Sequence, residues 1–535
     1  MSARTTEERD APEESVSRAR WALGAFAAYL AVSWWVLIFR LGSGRWFFRD
    51  DWEFLAGRDA GSLHDVFRPH DVHPAAIPVV VFRLMFNVFG LRFTPYLVVI
   101  VTMHLGLVIL LRVIMRRAGV GPWVATAAAG TLVLFGPGEE NIHWAFQINF
   151  VGALLLGLVQ LVLADHDGRY GRRDVVGTMA GVAAVMCSGL GPFMVVSVGL
   201  ATLARRGWRM ALLHTVPAAV AYVTWVLLAN PAEYDFARPG PSVAWAWIRE
   251  GQVGTLEALG QLQVAAALLA LLLVGGLVLL LSTTSLSELR HRVAIPGSLL
   301  LCGPLFFVLT AQGRWVFGLE LARSSRYLYV GAVCLLPALA VAGDAVVRRW
   351  RGATVGVVAL LLVGVPGNIG AFGTSIFNDR YFEVRRQTVL AVPRTAEAEQ
   401  VPRWVRPLAD PYNSEDLTIG WLLDVRDAGR LPAVHELDPR VTARFPIALG
   451  LAQVAEPSPG LECETRSTPI DLSPRRGDRL GIRLPVNVAL VVDGEKTSPW
   501  VPFSPDGGET LSVELPSLEL RFAPTTPGAS FTLCR

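Results

Sequence analysis

The 535-residue chain is short of charge and almost without lysine: Asp, Glu, Lys and Arg make up 17% of it, and Lys496 is the only lysine among 48 basic residues. With 52% of the residues hydrophobic, a soluble enzyme of this length is excluded. The use of arginine in place of lysine points to a GC-rich bacterial genome, as in actinobacteria, and is silent on chemistry. The net charge of +3 gives no basis for a nucleic-acid partner. Cysteine is scarce as well. Cys187, Cys302, Cys334, Cys463 and Cys534 show no C-x-x-C spacing, and the first three fall in apolar stretches where cysteine is a small core hydrophobe. Internal repeats and low-complexity tracts are absent, and the two halves do not mirror each other as in an inverted-repeat transporter. No small-residue cleavage site follows the apolar run 21–41, so it reads as a retained first helix.

What is abundant is arginine in clusters separated by apolar segments. They lie at Arg112, Arg116 and Arg117; Arg169, Arg172 and Arg173; Arg205, Arg206 and Arg209; Arg290 and Arg292; and Arg348, Arg349 and Arg351. The positive-inside rule places each cluster, and the tail 1–20, in the cytoplasm, so an even number of crossings separates neighbours. Spans follow at 21–41, 93–115, 123–135, 148–164, 210–228, 256–281, 293–311, 327–346 and 354–372. Between Arg173 and Arg205 the chain is too short for two full crossings, so two short helices or a re-entrant hairpin broken at 188–193 are expected. The predicted class is an all-α polytopic protein of the plasma membrane, with about eleven crossings, or nine if the hairpin stops short. The first outer loop is 42–92, and within it 74–90 forms an interfacial helix with Arg83 and Asn87 as a polar stripe.

From 373 onward the composition is that of a soluble domain on the outer side. Residues 373–455 carry helical patches, one of them with Ser414 as N-cap and Gly429 as stop. Residues 460–535 alternate as a small β-sandwich of about eight strands. Cys463 and Cys534 bracket it, and a bridge between them closes a loop of about 72 residues, worth roughly 4 kcal/mol.

Nearly all remaining polar residues fall on the outer face. Asp50 and Asp51 sit in FFRDDWEF, directly after the first span, and ionisable groups at a bilayer edge are functional candidates by default. On a helix Asp50 and Glu53 oppose Phe48, Trp52 and Leu55, with Asp51 at the boundary. His70 and His73 lie in the same loop, without a clear third ligand for a metal. Glu139, Glu140 and His143 lie in GPGEENIHWAFQ; Glu233 and Asp235 in the loop after 228; and Arg314, Arg323 and Arg326 between the ninth and tenth spans. The plainer readings are a wetted interfacial helix, a capped loop tip and headgroup anchors, and for Trp245, Trp247 and Trp315 an aromatic belt.

In order and sidedness these motifs resemble the GT-C class of integral-membrane glycosyltransferases that use polyprenyl-phosphate sugars. The matching residues are Asp50 and Asp51 in FRDDWEF, His73 and Pro74 in DVHPAAI, Glu139 and Glu140 in GPGEENIHW, the short hairpin, and RYLY at Arg326. The resemblance covers 21–372; for the tail it is one of architecture only, shared with the actinobacterial arabinosyltransferases. It implies a polyprenyl-phosphate sugar donor, an envelope glycan or glycolipid acceptor, no cofactor, and membrane lipid as surroundings. It also implies Asp50 or Asp51 as catalytic base, with Glu139, Glu140, His143, His73, Arg314, Arg323 and Arg326 binding substrate. Two other classes stand beside it: a lipid-linked-sugar flippase, and a non-catalytic scaffold whose β-domain binds glycan.

Overall fold

A computed structural model describes residues 7–231, 238–374, 379–395, 397–399, 403, 406–407, 416–433, 452–453, 460–475, 478–492, 494–496, 500–503, 510–515 and 519–535. Glu233, Asp235 and Ser414 lie outside these. The protein is a multi-pass membrane protein, mostly helical, with a small C-terminal β region. Eight helices are long and apolar enough to cross a bilayer: Ser17–Leu41, Phe93–Arg117, Ala145–Ala164, Trp208–Ala229, Gln263–Thr283, Leu286–Phe317, Ser325–Arg349 and Arg351–Gly370. Ala76–Phe89 and Pro122–Val133 are shorter apolar helices, and Arg172–Val185 and Gly191–Arg206 are two further short helices. The last two are the expected pair of short helices, broken at 186–190.

The chain divides into two compact units. One comprises Met1–Ser43, Asp59–Val81 and Thr94–Asn378; the other comprises Gly44–Arg58, Phe82–Phe93 and Asp379–Arg535.

In the first unit the arginine clusters gather at one end of the bundle, and side chains tie the helix termini together there. Arg117 and Arg206 donate to the last carbonyls of Ile148–Ala164, at Val162 and Ala164. Arg206 also meets the buried Asp174 carboxylate (2.5 Å), which accepts further from His214 (3.0 Å), His166 (3.1 Å) and the Gly171 amide (2.9 Å). A second buried carboxylate, Asp344, accepts from Arg292 (2.7 Å), Arg348 (2.6 Å) and the Gly121 amide (2.8 Å). It thereby fastens three termini to the turn after Phe93–Arg117. Arg112 bonds Thr126, whose hydroxyl donates to the Ala22 carbonyl at the start of the first span. Ser325–Arg349 is the innermost helix, with 89% of its apolar window buried, whereas Trp208–Ala229 leaves most of its surface outward. Such outward apolar faces suit lipid rather than water.

Two expectations for this unit change. The segment read as the outer loop before 256 contains a helix, Pro241–Gly260, and the following span starts only at Gln263 because Gln261, with φ +59°, breaks the two apart. Trp247 is fully buried, its indole donating to Thr310 (3.1 Å), and so is no belt residue; Trp245 is exposed.

The second unit is built on aromatic packing and a sandwich. Thr418 caps Ile419–Asp427 by accepting from the Trp421 amide (3.2 Å), so the cap lies four residues beyond Ser414, and Gly429, with φ +68°, is the stop as expected. The β region starts at 452, earlier than expected. It has ten strands among the described residues: β1 (Ala452–Gln453), β2 (Cys463–Arg466), β3 (Ile470–Leu472), β4 (Arg479–Ile482), β5 (Val486–Val492), β6 (Glu495–Lys496), β7 (Val501–Phe503), β8 (Leu511–Glu514), β9 (Leu520–Pro524) and β10 (Phe531–Cys534). They form antiparallel sheets ordered β1-β8-β4-β10-β2 and β3-β9-β5-β6, with β7 also on β5. Leu480, Ile482, Val488, Val513, Phe522 and Phe531 lie in the shared core. The stretch RLGIRLPVNVALVV, 479–492, divides into β4 and β5 at Pro485, which cannot donate to a ladder.

Cys463 and Cys534 face each other across the β2–β10 pair and are joined by a disulfide. The bridge spans 71 positions of sequence, so its loss frees a long loop in the unfolded chain. We expect Cys463→Ser with Cys534→Ser to lower the stability of this unit by about 4 kcal/mol, read as a lower denaturation midpoint in its near-ultraviolet signal.

Candidate functional site

In the second unit, Phe47, Phe48, Trp52, Phe54 and Leu55 of FFRDDWEF are buried, and burial of these rings fixes where the acidic pair stands. Trp52 packs on Trp46 (5.3 Å), Phe47 (5.5 Å) and Trp421 (6.3 Å), and Phe48 on Phe382 (5.8 Å). The helix begins only at Asp51, so Phe48 is not on its face. Asp51 is not at a boundary but fully buried, and its carboxylate accepts from the Phe48 amide (2.8 Å) while its own amide donates to the Phe48 carbonyl (3.1 Å). This reciprocal pair closes the turn in the manner of a capping box. Asp50 stays half-exposed. Arg49, between Phe48 and Asp50, holds φ +44°, a left-handed conformation that costs a non-glycine residue energy. Glu53 is paired with the buried Arg58.

In the first unit, the other candidates collect at the end of the bundle opposite the arginine clusters. The turn 136–138 enters without room for a side chain: a Cβ on Gly136 would meet the Asn368 carbonyl at 2.1 Å, and one on Gly138 would meet Tyr329 at 2.8 Å. Glu139 and His143 then point inward and are sealed. His143 stands 3.4 Å from Glu139 and 3.1 Å from the Leu37 carbonyl, and the second Glu139 oxygen accepts from the Gly373 amide (2.8 Å). This buried pair fastens the loop to the ends of the first and last spans and is structural in geometry.

Glu140 points the other way and forms an ion pair with Arg326 at 3.0 Å. The Arg326 guanidinium lies 5.7 Å over Trp144, Trp144 packs on Phe146 (5.2 Å), and Phe146 on His70 (4.9 Å). The first turn of Ser325–Arg349 is clamped to the same loop: the Glu140 amide donates to the Ser325 hydroxyl (3.1 Å), and Asn141 donates to the Arg326 carbonyl (3.1 Å). His70 and His73 exchange two backbone hydrogen bonds of 2.9 Å, with Asp71 at φ +50° in the bend and its carboxylate 3.8 Å from Arg314. His73 fills the break between the two short helices, where a Cβ on Gly189 would meet its ring at 2.6 Å. Arg314 is felt electrostatically by His73, and both Arg314 and Arg326 by the Tyr327 hydroxyl. Thus His73, Glu140, Arg314 and Arg326 come together from four stretches of chain.

No family model, curated protein or solved structure matches the chain.

Arg323 stands apart from that group. It is held by Glu250 and Glu257, both from the Pro241–Gly260 helix, so two carboxylates already outweigh its charge. The pair is spaced i, i+7 on one face of a helix, a signal hidden because the segment follows two loop-forming prolines and reads as irregular. Asn141, Ser325 and Trp144 had no sequence signal, since amide, hydroxyl and indole groups acquire a role only through what the fold sets beside them. Among the described residues no group of three or more His, Cys, Asp or Glu side chains is placed to hold a metal ion.

Burial pushes the His73 imidazole down to about 4, with Asp71 opposing and the His70 and Arg314 charges adding. In the folded protein the ring is neutral, whereas an unfolded histidine takes up its proton near pH 6.5. The contribution to stability is therefore present above pH 6.5 and drains away as the pH falls towards 4, by about 3 kcal/mol in all. We expect His73→Gln to flatten the acid limb of the melting-temperature curve over that window while leaving the neutral limb parallel.

Proposed function

We propose that the chain is a polyprenyl-phosphate-sugar-dependent glycosyltransferase of the GT-C class, acting on an envelope glycan or glycolipid on the outer face of the plasma membrane. The observation that carries this reading is the meeting of Arg314, Arg326, Glu140 and His73 at the end of the helical unit away from the arginine clusters. Two guanidiniums there, stacked or bridged but half-exposed, suit a phosphate in bidentate contact. The proposal includes about eleven crossings, the eight long helices with Pro122–Val133, Arg172–Val185 and Gly191–Arg206. It sets the N-terminus in the cytoplasm and the C-terminal domain outside.

The acceptor hydroxyl gives its proton to a carboxylate, the role that the resemblance assigns to the Asp50–Asp51 pair, as its oxygen attacks the anomeric carbon; the bond from that carbon to the phosphate oxygen breaks, and the polyprenyl phosphate leaves carrying the electron pair. Attack from the far side inverts the anomeric centre. Asp51, committed to the backbone, holds the turn that presents Asp50. Arg314 and Arg326 stabilise the departing phosphate, and Arg323 takes no part. No cofactor enters the scheme.

The test is incubation of the purified full chain with a panel of polyprenyl-phosphate monosaccharides and an acceptor glycan. Acceptor-dependent release of polyprenyl phosphate, lost in Arg326→Ala, supports the reading. Absence of release from every donor, or release unchanged in that variant, overturns it.

A further inference from the structure

The arginines at the clustered end of the bundle fall into two sets. Arg117, Arg205, Arg206, Arg292 and Arg348 turn inward onto carboxylates or terminal carbonyls. Arg169, Arg172, Arg209, Arg290, Arg349 and Arg351 are exposed, and among the described residues none of these has a carboxylate partner. Six like charges on one surface repel one another and attract whatever anion the surroundings offer.

Two of the six are ordered further. Arg209 lies 5.4 Å over the ring of Trp208, which opens Trp208–Ala229, and Arg349 lies 5.3 Å over the ring of Trp350, which closes Ser325–Arg349. Both indoles are exposed, and so are Trp21 and Trp123, which stand at the same end of their own helices. Tryptophan settles at the headgroup level of a bilayer, so these four rings mark one interfacial plane. A guanidinium resting on an interfacial indole is held at the depth of lipid phosphates, with its forked edge available to them.

We propose that the Trp208–Arg209 and Arg349–Trp350 pairs are binding sites for the headgroups of anionic glycerophospholipids, backed by the other four unpaired guanidiniums. The occupant is a bilayer lipid because the indoles fix the depth, and an anionic one because among the described residues none of the six guanidiniums has a carboxylate partner. The inference is independent of the reaction proposed above and of which side the end faces.

The experiment is native mass spectrometry of the full chain released from nanodiscs containing equal phosphatidylglycerol and phosphatidylcholine, with retained lipids counted. Phosphatidylglycerol is expected to be retained preferentially, with a preference that weakens in high salt and falls about fivefold for each arginine removed in Arg209→Gln and Arg349→Gln. Arg209→Lys with Arg349→Lys keeps the charge and loses the fork, and is expected to fall between wild type and the Gln pair. Equal retention of the two lipids, insensitivity to salt, or an undiminished preference in the Gln double variant at unchanged melting temperature overturns the proposal. Because both side chains are exposed and unbonded, the Gln variants fold.

Discussion

Under the reaction proposed above, Asp50→Asn is expected to lower sugar transfer roughly 100- to 10,000-fold, the span of a lost general base. Asparagine has the shape of aspartate but cannot accept the acceptor's proton, and Asp50 is half-exposed. Asp51→Asn is the informative contrast. Its amide oxygen still accepts from the Phe48 amide, as the carboxylate does at 2.8 Å, so most activity survives. Asp51→Ala leaves that amide buried and unpaired at a cost of about 1 to 3 kcal/mol, and loses both stability and activity. The measurements are polyprenyl-phosphate release and thermal unfolding on the same preparations. Should Asp51→Asn be inactive and Asp50→Asn active, the two roles exchange.

A large effect on stability is expected at the other end of the bundle. Asp344 is nearly inaccessible and accepts from Arg292, Arg348 and the Gly121 amide. Replacing a well-paired buried ion pair with apolar groups is often neutral, but removing one partner strands the others. Asp344→Ala leaves the buried Arg292 guanidinium and the Gly121 amide without their carboxylate, while the half-exposed Arg348 turns to water, so the loss is expected at about 3 kcal/mol. Asp344→Asn keeps the acceptor for Gly121 and part of the arginine contact, and should lose less. Unfolding midpoints of the detergent-solubilised protein rank the three chains, and equal midpoints for Ala and wild type would remove the clamp from the account.

Much of the helical architecture was legible, for a physical reason. Charge cannot be left in hydrocarbon, so the clusters at Arg116, Arg206, Arg292 and Arg348 had to fall at helix ends, and in the first unit they converge on one end. What the clusters do beyond that was not legible. Asp174 and Asp344 are 170 residues apart in sequence, and only the fold pairs each with its arginines and amides. The site was legible in parts. His73, Glu140, Arg314 and Arg326 come together, while Glu139 and His143 turn inward because Gly136 and Gly138 have no side chain to hold the turn off the backbone and ring behind it. The partners of Arg323, Glu250 and Glu257, were not legible for want of the Pro241–Gly260 helix. The split between Asp50 and Asp51 could not come from helical spacing, since the helix starts one residue too late for that spacing to apply.

The shortness of Pro122–Val133 bears on where the proposed chemistry would take place. Twelve residues rise about 18 Å, starting from the plane marked by Trp123, whereas the hydrocarbon layer is about 30 Å deep. The turn at Gly136 and the carboxylates that follow it are therefore sunk some way below the far headgroups, inside the thickness of the membrane. Backbone that leaves the helix at that depth is sheltered by protein, as the packing of Gly136 on the 368–372 backbone requires. A ligand reaching Glu140 and Arg326 has to sink to meet them, and a molecule whose charged head is tethered to a hydrocarbon tail can do so by entering sideways from the bilayer, with its tail never leaving the lipid.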